Sequence, residues 1–413
     1  MREKSVEINE KSIQVQKIAD KLLKAKTLEE IVGSKSPLNE LIKEAIERIL
    51  ESERDEHLGY SAYKKVDDSS SNSRNGYSKK SLLTSKGEIE IKVPRDRDSS
   101  YEPKLIPKHK HIDSELESKI LSLYSIGMST RDIEEQIKEL YGIEISPSFV
   151  SKVSSNLKET IDEWQERPLE NLYVTIFLDG IYFKVREEGK VISKVAYTAL
   201  GIDTRGESDI LGIWIAENEG SAFWSNVLYN IKKRGVNDIL IASVDGLKGF
   251  PEAIKTVFPN TVIQTCIVHQ IRTSLRFTGS KYQKLLVKDM KLIYQADDRQ
   301  MAERELEIFE EKWKKLSPAM VDSWKNNWHN LSSFLDYPPV IRKMMYTTNA
   351  VESVHRQFRK ITKNKCSFPN DEALRKQLYL AIQNATKKIK RKNNWNEIIS
   401  ALKIYFGDRL ILE

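Results

Sequence analysis

The chain of 413 residues exceeds what one hydrophobic core usually organises, so about two to four domains are expected, and 39% hydrophobic with 31% charged residues allows a real core under a polar surface. A mean hydropathy of −0.50, no apolar run near the roughly 18 residues of a membrane span, and an N-terminus lacking a signal-peptide core speak against a membrane protein and lead us to expect an intracellular one. Two cysteines, Cys266 and Cys366, cannot build a disulfide framework, and a net charge of +7 does not by itself mark a nucleic-acid binder.

Residues 1–62 read as an N-terminal helical region. Within it Leu38, Leu41, Ile42, Ala45, Ile46, Ile49 and Leu50 form one apolar stripe at helical spacing, fit to pack on something, a second subunit included. Residues 63–112 are basic and turn-rich around one alternating strand, GEIEIKVPRD, and read as a solvated loop or a DNA-contacting arm. Residues 113–168 read as a helix-turn-helix domain. A first helix stops at Gly127, a second is capped by Ser129 or Thr130, and a third opens at Ser146–Pro147. The third would be the recognition helix, with Ser148, Ser151 and Lys152 facing DNA. Its low positive charge leaves an ordinary helical bundle as the alternative.

From 169 to 270 the period becomes that of strands: LYVTIFLDG, IYFKVREEG, VISKVAYTALGID and DILGIWIAE, a helix through SAFWSNVLYNIKKRG, the strand DILIASVDG, a helix from GFPEAIKTVF and the strand TVIQTCIVH. Strands in hairpin order followed by alternating β and α is the order of a ribonuclease-H-like core, an α/β fold with a mixed sheet. Residues 271–345 read as an all-helical insertion anchored by Trp313, Trp324 and Trp328. Residues 346–413 return to the core with a helix from Asn349 and a basic helical tail.

Three acids stand where these segments end or begin: Asp179 and Asp245 after apolar runs, and Glu352 at the start of a helix. Each has a structural explanation. Asp179–Gly180 has the composition of a hairpin turn, Asp245–Gly246 of a turn into the next helix, and Glu352 follows Asn349 at capping-box distance. Together they suit phosphodiester chemistry, because hard carboxylate oxygens hold Mg²⁺, with Mn²⁺ as a substitute, and two such ions activate the attacking oxygen and stabilise the leaving one.

The blocks FLDGIYFKV, GIWIAENEGSAFW, VDGLKGFPEAI, CIVHQIR, YTTNAVESVHRQFRK and IYFGDRL, preceded by DEHLGY, NGYSKK, EIEIKVPRDRDSSYEPKLIPKH and GMSTRDI, resemble the signature segments of Mutator-type transposases of bacterial insertion sequences. The resemblance runs from about residue 40 to the end. It implies a ribonuclease-H-like catalytic domain with a helical insertion, the triad Asp179, Asp245 and Glu352 as catalytic residues and metal ligands, binding to the element's terminal inverted repeats, and a copy-out route through a circular DNA intermediate. Cys266 and His269 match a C-x-x-H motif that the family carries after the second acid. They are half a zinc site at most, so His269 is expected to donate a hydrogen bond or assist proton transfer, or to be structural.

His355, Arg356 and Arg359 follow Glu352 on one helical face that is expected to meet DNA. Between 359 and 392 eleven basic residues stand against Asp371 and Glu372, a net +9. Lys360, Lys363, Lys387, Lys388 and Arg391 are therefore added to the DNA-binding set. Trp214 and Trp224, or the insertion tryptophans, are candidates to stack on an unpaired base, although core packing explains most of them better. The expected partners are double-stranded DNA, both inverted repeat and target, and further copies of the chain in a homodimer or larger assembly. The expected place is the cytoplasm, at the bacterial nucleoid. The rival readings are a catalytically silent helix-turn-helix repressor and a structure-specific nuclease of the same fold.

Overall fold

The computed structural model of the chain describes residues 36–61, 72–84, 87–108, 112–217, 220–246, 249–346, 349–363, 365–387 and 391–410, with short pieces between 20 and 31. Most of the first 35 residues, and the serine-rich stretch around residues 62–71, lie outside the described residues. Two compact units emerge: residues 1–124 with 128–155, and residues 125–127 with 156–413.

In the first unit α1 (Pro37–Leu58) starts at an N-cap, Ser36, whose side chain accepts from the Asn39 amide, and ends at Gly59 with φ 78°. It packs Ile42, Ile46 and Leu50 on the hairpin β1 (Arg74–Thr84) and β2 (Gly87–Asp96), where Leu82, Ile89, Ile91 and Val93 point inward. The hairpin thus takes three of the seven residues of the apolar stripe read from the sequence; Leu41 and Ile49 stay exposed. Three helices follow: α2 (Ser114–Ser125), α3 (Thr130–Tyr141) and α4 (Pro147–Ser155). Ser129 and Asp132 form a complete capping box at the start of α3.

The second unit is mixed α/β. After α5 (Leu157–Glu166) come β3 (Leu172–Glu187), β4 (Lys190–Asp203) and β5 (Ser208–Ala216), then α6 (Ser221–Lys233), β6 (Asp238–Val244), α7 (Phe250–Val257) and β7 (Val262–Thr265). The sheet order is β5-β4-β3-β6-β7. The first three strands pair antiparallel, whereas β3, β6 and β7 run parallel. One face buries Ile176, Leu178 and Tyr197 under α6 and α7. The other buries Val174, Phe177, Ile181 and Phe183.

That second face is covered by helices: α8 (Ile267–Arg276), α9 (Ser280–Tyr294), α10 (Arg299–Trp313), α11 (Pro318–Asn326), α12 (Trp328–Leu331), α13 (Pro339–Tyr346), α14 (Asn349–Thr362), α15 (Asp371–Thr386) and α16 (Trp395–Phe406).

Two expectations are corrected. The segments LYVTIFLDG and IYFKVREEG are one continuous strand, so Asp179–Gly180 is no turn. The turn falls at Glu188 and Gly189, whose φ values of 48° and 78° suit the two-residue turn that matches strand twist. In TVIQTCIVH only Val262–Thr265 is strand. β6 ends at Val244, which pairs with Thr265, so the following residues lose their ladder partner and turn into α8 with Cys266 as its N-cap.

Candidate active site

Asp179 lies one residue past Leu178, the last β3 residue paired with β6, and Asp245 directly follows β6. The pleat sends alternate residues to opposite faces, so Asp179 projects on the side of Phe177 and Ile181, toward α14. The two carboxylates are near enough for each to act on the other's charge, and Asp179 is only 5% exposed. The next residue, Gly180, has no room for a side chain: a Cβ there would come within 2.6 Å of the Tyr197 ring and 2.8 Å of Val195. Tyr197 in turn stands edge-on to Trp224, which is stacked on Phe250 at 3.7 Å.

Two histidines flank the acids. His355 Nδ1 lies 3.2 Å from Asp179 Oδ2 and is 2% exposed, which pins α14 to the middle of β3. His269 Nδ1 is pressed against Asp245 Oδ1 in an ion pair. The two acids are driven apart electrostatically. Burial alone would raise the Asp179 carboxyl, but the hydrogen bond and charge of His355 hold it below the usual carboxylate range. Asp245 is pushed up to about 6, chiefly by burial, with the Asp179 charge adding to it against the pull of His269. His269 is raised in return, first by its bond to Asp245 and then by Cys266.

Glu352 joins this cluster through a residue the sequence reading did not single out. Arg272 lies one turn beyond His269 on α8. Its Nη2 donates to Glu352 Oε1 at 2.5 Å, and its Nη1 lies 3.4 Å from His269 Nε2. Side-chain contacts therefore run without a break from Asp179 through Asp245, His269 and Arg272 to Glu352. The sequence signal was present in CIVHQIR, where an arginine recurs at helical spacing after the histidine; its partner lies 80 residues away.

The donor atoms of Asp245, Cys266 and His269 lie within 4.8 Å of one another. Three donors fall short of the four of a closed zinc site. The facing carboxylates of buried Asp179 and half-buried Asp245 are the better fit to a metal: hard oxygens held side by side against their mutual repulsion.

Of the candidate DNA contacts, Arg356, Arg359, Lys360 and Lys363 are exposed along α14 and line a shallow cavity of about 540 Å³ with Gln357 and Thr362. Lys387 is exposed after α15, and Lys388 lies outside the described residues. Arg391 is tied to the β4–β5 turn, its Nε donating to the Arg205 carbonyl at 2.8 Å. That turn lies at the Tyr173 end of β3, six residues and about 20 Å from Asp179.

Elsewhere in the basic tail Arg375 pairs with Asp162 at 2.6 Å, the buried Lys376 pairs with exposed Glu372 at 3.0 Å, and Lys365 donates to Gln377. In the first unit Ser148, Ser151 and Lys152 are exposed on α4; Ser148 bonds Ser146, and Ser151 donates to the Pro147 carbonyl. Trp224, Trp313 and Trp324 are core residues and Trp214 is half-buried.

Residues 13–392 match the family model described as Transposase, Mutator family. The transposase for insertion sequence element ISRM3 of Rhizobium meliloti (strain 1021) is 41% identical over 95% of this chain and 98% of its own length. The transposase for IS905 of Lactococcus lactis is 33% identical over 84% of this chain and 89% of its own. The IS256 transposase of transposon Tn4001 from Staphylococcus aureus is 30% identical over 78% and 83%.

Proposed function

Because the chain belongs to the Mutator family of transposases, we propose that Asp179, Asp245 and Glu352 serve DNA cleavage at the ends of an insertion sequence and transfer of the freed 3′ end to a target. The observation that carries this reading is the placing of Asp245, just past the end of β6, beside the buried Asp179 in the middle of the adjacent parallel strand β3. The sheet order and the helices after β7 support a ribonuclease-H-like core with a helical insertion. Mg²⁺ held by the three acids would activate the attacking oxygen and stabilise the leaving one, and Mn²⁺ suits the same donors.

The protein's own groups prepare that chemistry. His355 fixes Asp179 ionised and anchors α14. Asp245 has to give up its proton, and His269, held against it, favours the charged form and stands ready to exchange a proton beside the reacting phosphate. Arg272 holds Glu352 toward the same cluster. Arg356, Arg359, Lys360 and Lys363 extend from Glu352 along α14 as a track for the DNA backbone. Lys387 and Arg391 add exposed basic charge, and Lys388 joins them as a DNA-binding candidate by its charge alone. Helices α2 to α4, with Ser148, Ser151 and Lys152 on the third, read the inverted repeat as a helix-turn-helix unit. The family resemblance supports copy-out through a circular intermediate, in an assembly of two or more copies acting at the nucleoid.

A strand-transfer assay tests the reading. Purified protein, Mg²⁺, a labelled duplex ending in the element's inverted repeat and a plasmid target are expected to give joined product, and Asp245→Asn to give none while still binding the repeat. Binding without cleavage or joining by the wild type would leave a silent DNA-binding protein. Cleavage without joining would leave a nuclease.

A further inference from the structure

Helices α9 and α10 form an antiparallel hairpin closed by residues 295–298. Each turns one row onto the core: Leu286, Met290 and Ile293 on α9, and Ala302, Leu306, Phe309 and Trp313 on α10. Each also carries a second apolar pair two turns apart. Leu285 and Leu292 on α9 are 43% and 51% exposed; Met301 and Ile308 on α10 are 49% and 56% exposed. At about 100° per residue both pairs sit on the same flank of their buried rows. Because the helices run in opposite senses, the two flanks face each other across one groove. Leu292 and Met301 line a cavity of about 500 Å³ there, with Lys288 and Glu305 at its sides.

Charge separates the two helices. α9 presents Lys281, Lys284, Lys288 and Lys291 to solvent, and its acid, Asp289, is taken up by Lys312 at 2.7 Å and the Trp313 indole at 2.8 Å. α10 presents Glu303, Glu307 and Glu311, with Arg304 before the last two and Lys312, paired with Asp289, after them. Among the described residues neither these glutamates nor Lys284, Lys288 and Lys291 are in an ion pair.

We propose that this face binds a second copy of the chain, hairpin on hairpin, as an antiparallel four-helix contact. A two-fold axis along the helices sets each lysine row over the glutamate row of the other copy and lets the four apolar pairs close on one another. A two-fold across the helices would set like over like. A nucleic acid would welcome α9 but meet the glutamates of α10. Each helix of 15 residues is about 22 Å long and the pair about 20 Å wide, a flat footprint of roughly 440 Å². That is under the ~800 Å² per partner of a standard interface, so the association is reversible and follows concentration. The inference rests on the hairpin alone and stands whether or not the chain cuts DNA.

Sedimentation velocity of the full-length chain over a concentration series, at low and physiological salt, tests it. The wild type is expected to pass from monomer to dimer, less readily as salt rises. A Glu307→Lys, Glu311→Lys chain and a Lys284→Glu, Lys288→Glu chain should each self-associate about tenfold more weakly or worse. Mixed in equal amounts, these two chains should pair with each other more tightly than either does with itself. All four positions are exposed, so thermal melting by circular dichroism should be unchanged. A wild type that stays monomeric throughout, a dimer indifferent to both reversals, or one broken instead by Leu41→Glu on α1 would overturn the proposal.

Discussion

Asp245 governs how the candidate site responds to pH. An ordinary aspartate titrates near ~3.9, whereas burial and the Asp179 charge lift this one to about 6. Between those values the folded chain holds the proton more tightly than the unfolded chain. Its own contribution to stability therefore falls as pH rises through that window, and the deficit persists above it. A bound cation would offset the deficit only once the proton has left. The melting temperature is thus expected to rise with added Mg²⁺ at pH 7, to rise much less at pH 5, and not to respond in Asp245→Asn; a scanning-fluorimetry titration reads all three.

The residue scale also shows what a sequence can conceal. The apolar runs that deliver Asp179 and Asp245 are legible, because β-branched residues crowd both strands. The dipeptide Asp179–Gly180 suggests a turn, yet the glycine answers to Tyr197 across the sheet, and the turn uses Glu188, a residue with no turn signature. Arg272 is a routine helical arginine until the fold brings Glu352 to it.

At the scale of elements, the contact between α8 and α14 is the joint of the site. Arg272 and Glu352 meet there in a partly exposed ion pair, and such a pair contributes under about 1 kcal/mol to stability. Its value lies in where it holds Glu352. Arg272→Ala is therefore expected to leave the melting temperature within about 2 °C of wild type, to leave inverted-repeat binding unchanged, and to slow strand transfer by about tenfold to a hundredfold, with partial recovery in Arg272→Lys. Equal loss of binding and transfer would point to a DNA contact instead. Element boundaries were legible where local chemistry decides them, as at the Ser129 capping box. They were not legible where pairing decides them. TVIQTCIVH has the composition of a long strand, but β7 stops after four residues because its neighbour has ended. The exposed row of the α9–α10 hairpin was hidden for a related reason: at helical spacing a leucine that meets the core and one that faces water look alike.

For the whole molecule, net charge misleads and its distribution informs. Much of the basic tail is spent internally, on Asp162, Glu372, Gln377 and the Arg205 carbonyl. The row of Arg356, Arg359, Lys360 and Lys363 on α14 stays exposed beside Glu352. If that row follows the DNA backbone, each phosphate it neutralises adds about 0.9 to the slope of log affinity against log salt. Arg359→Gln combined with Lys363→Gln should then lower the slope by about 2, for specific and non-specific duplexes alike, in fluorescence-anisotropy titrations across a salt series. An unchanged slope would remove the row from the DNA path.

Gly180 and Asp179 are neighbours held in place by different pressures, the glycine by the Tyr197, Trp224 and Phe250 rings and the acid, on the function proposed, by the reaction. Copies of a mobile element decay once selection on movement lapses, and the two positions should then part company. A degenerate copy that still folds is free to drift at the aspartate but remains bound at the glycine, so an intact glycine beside a lost acid would be the mark of a fossil rather than of a working gene.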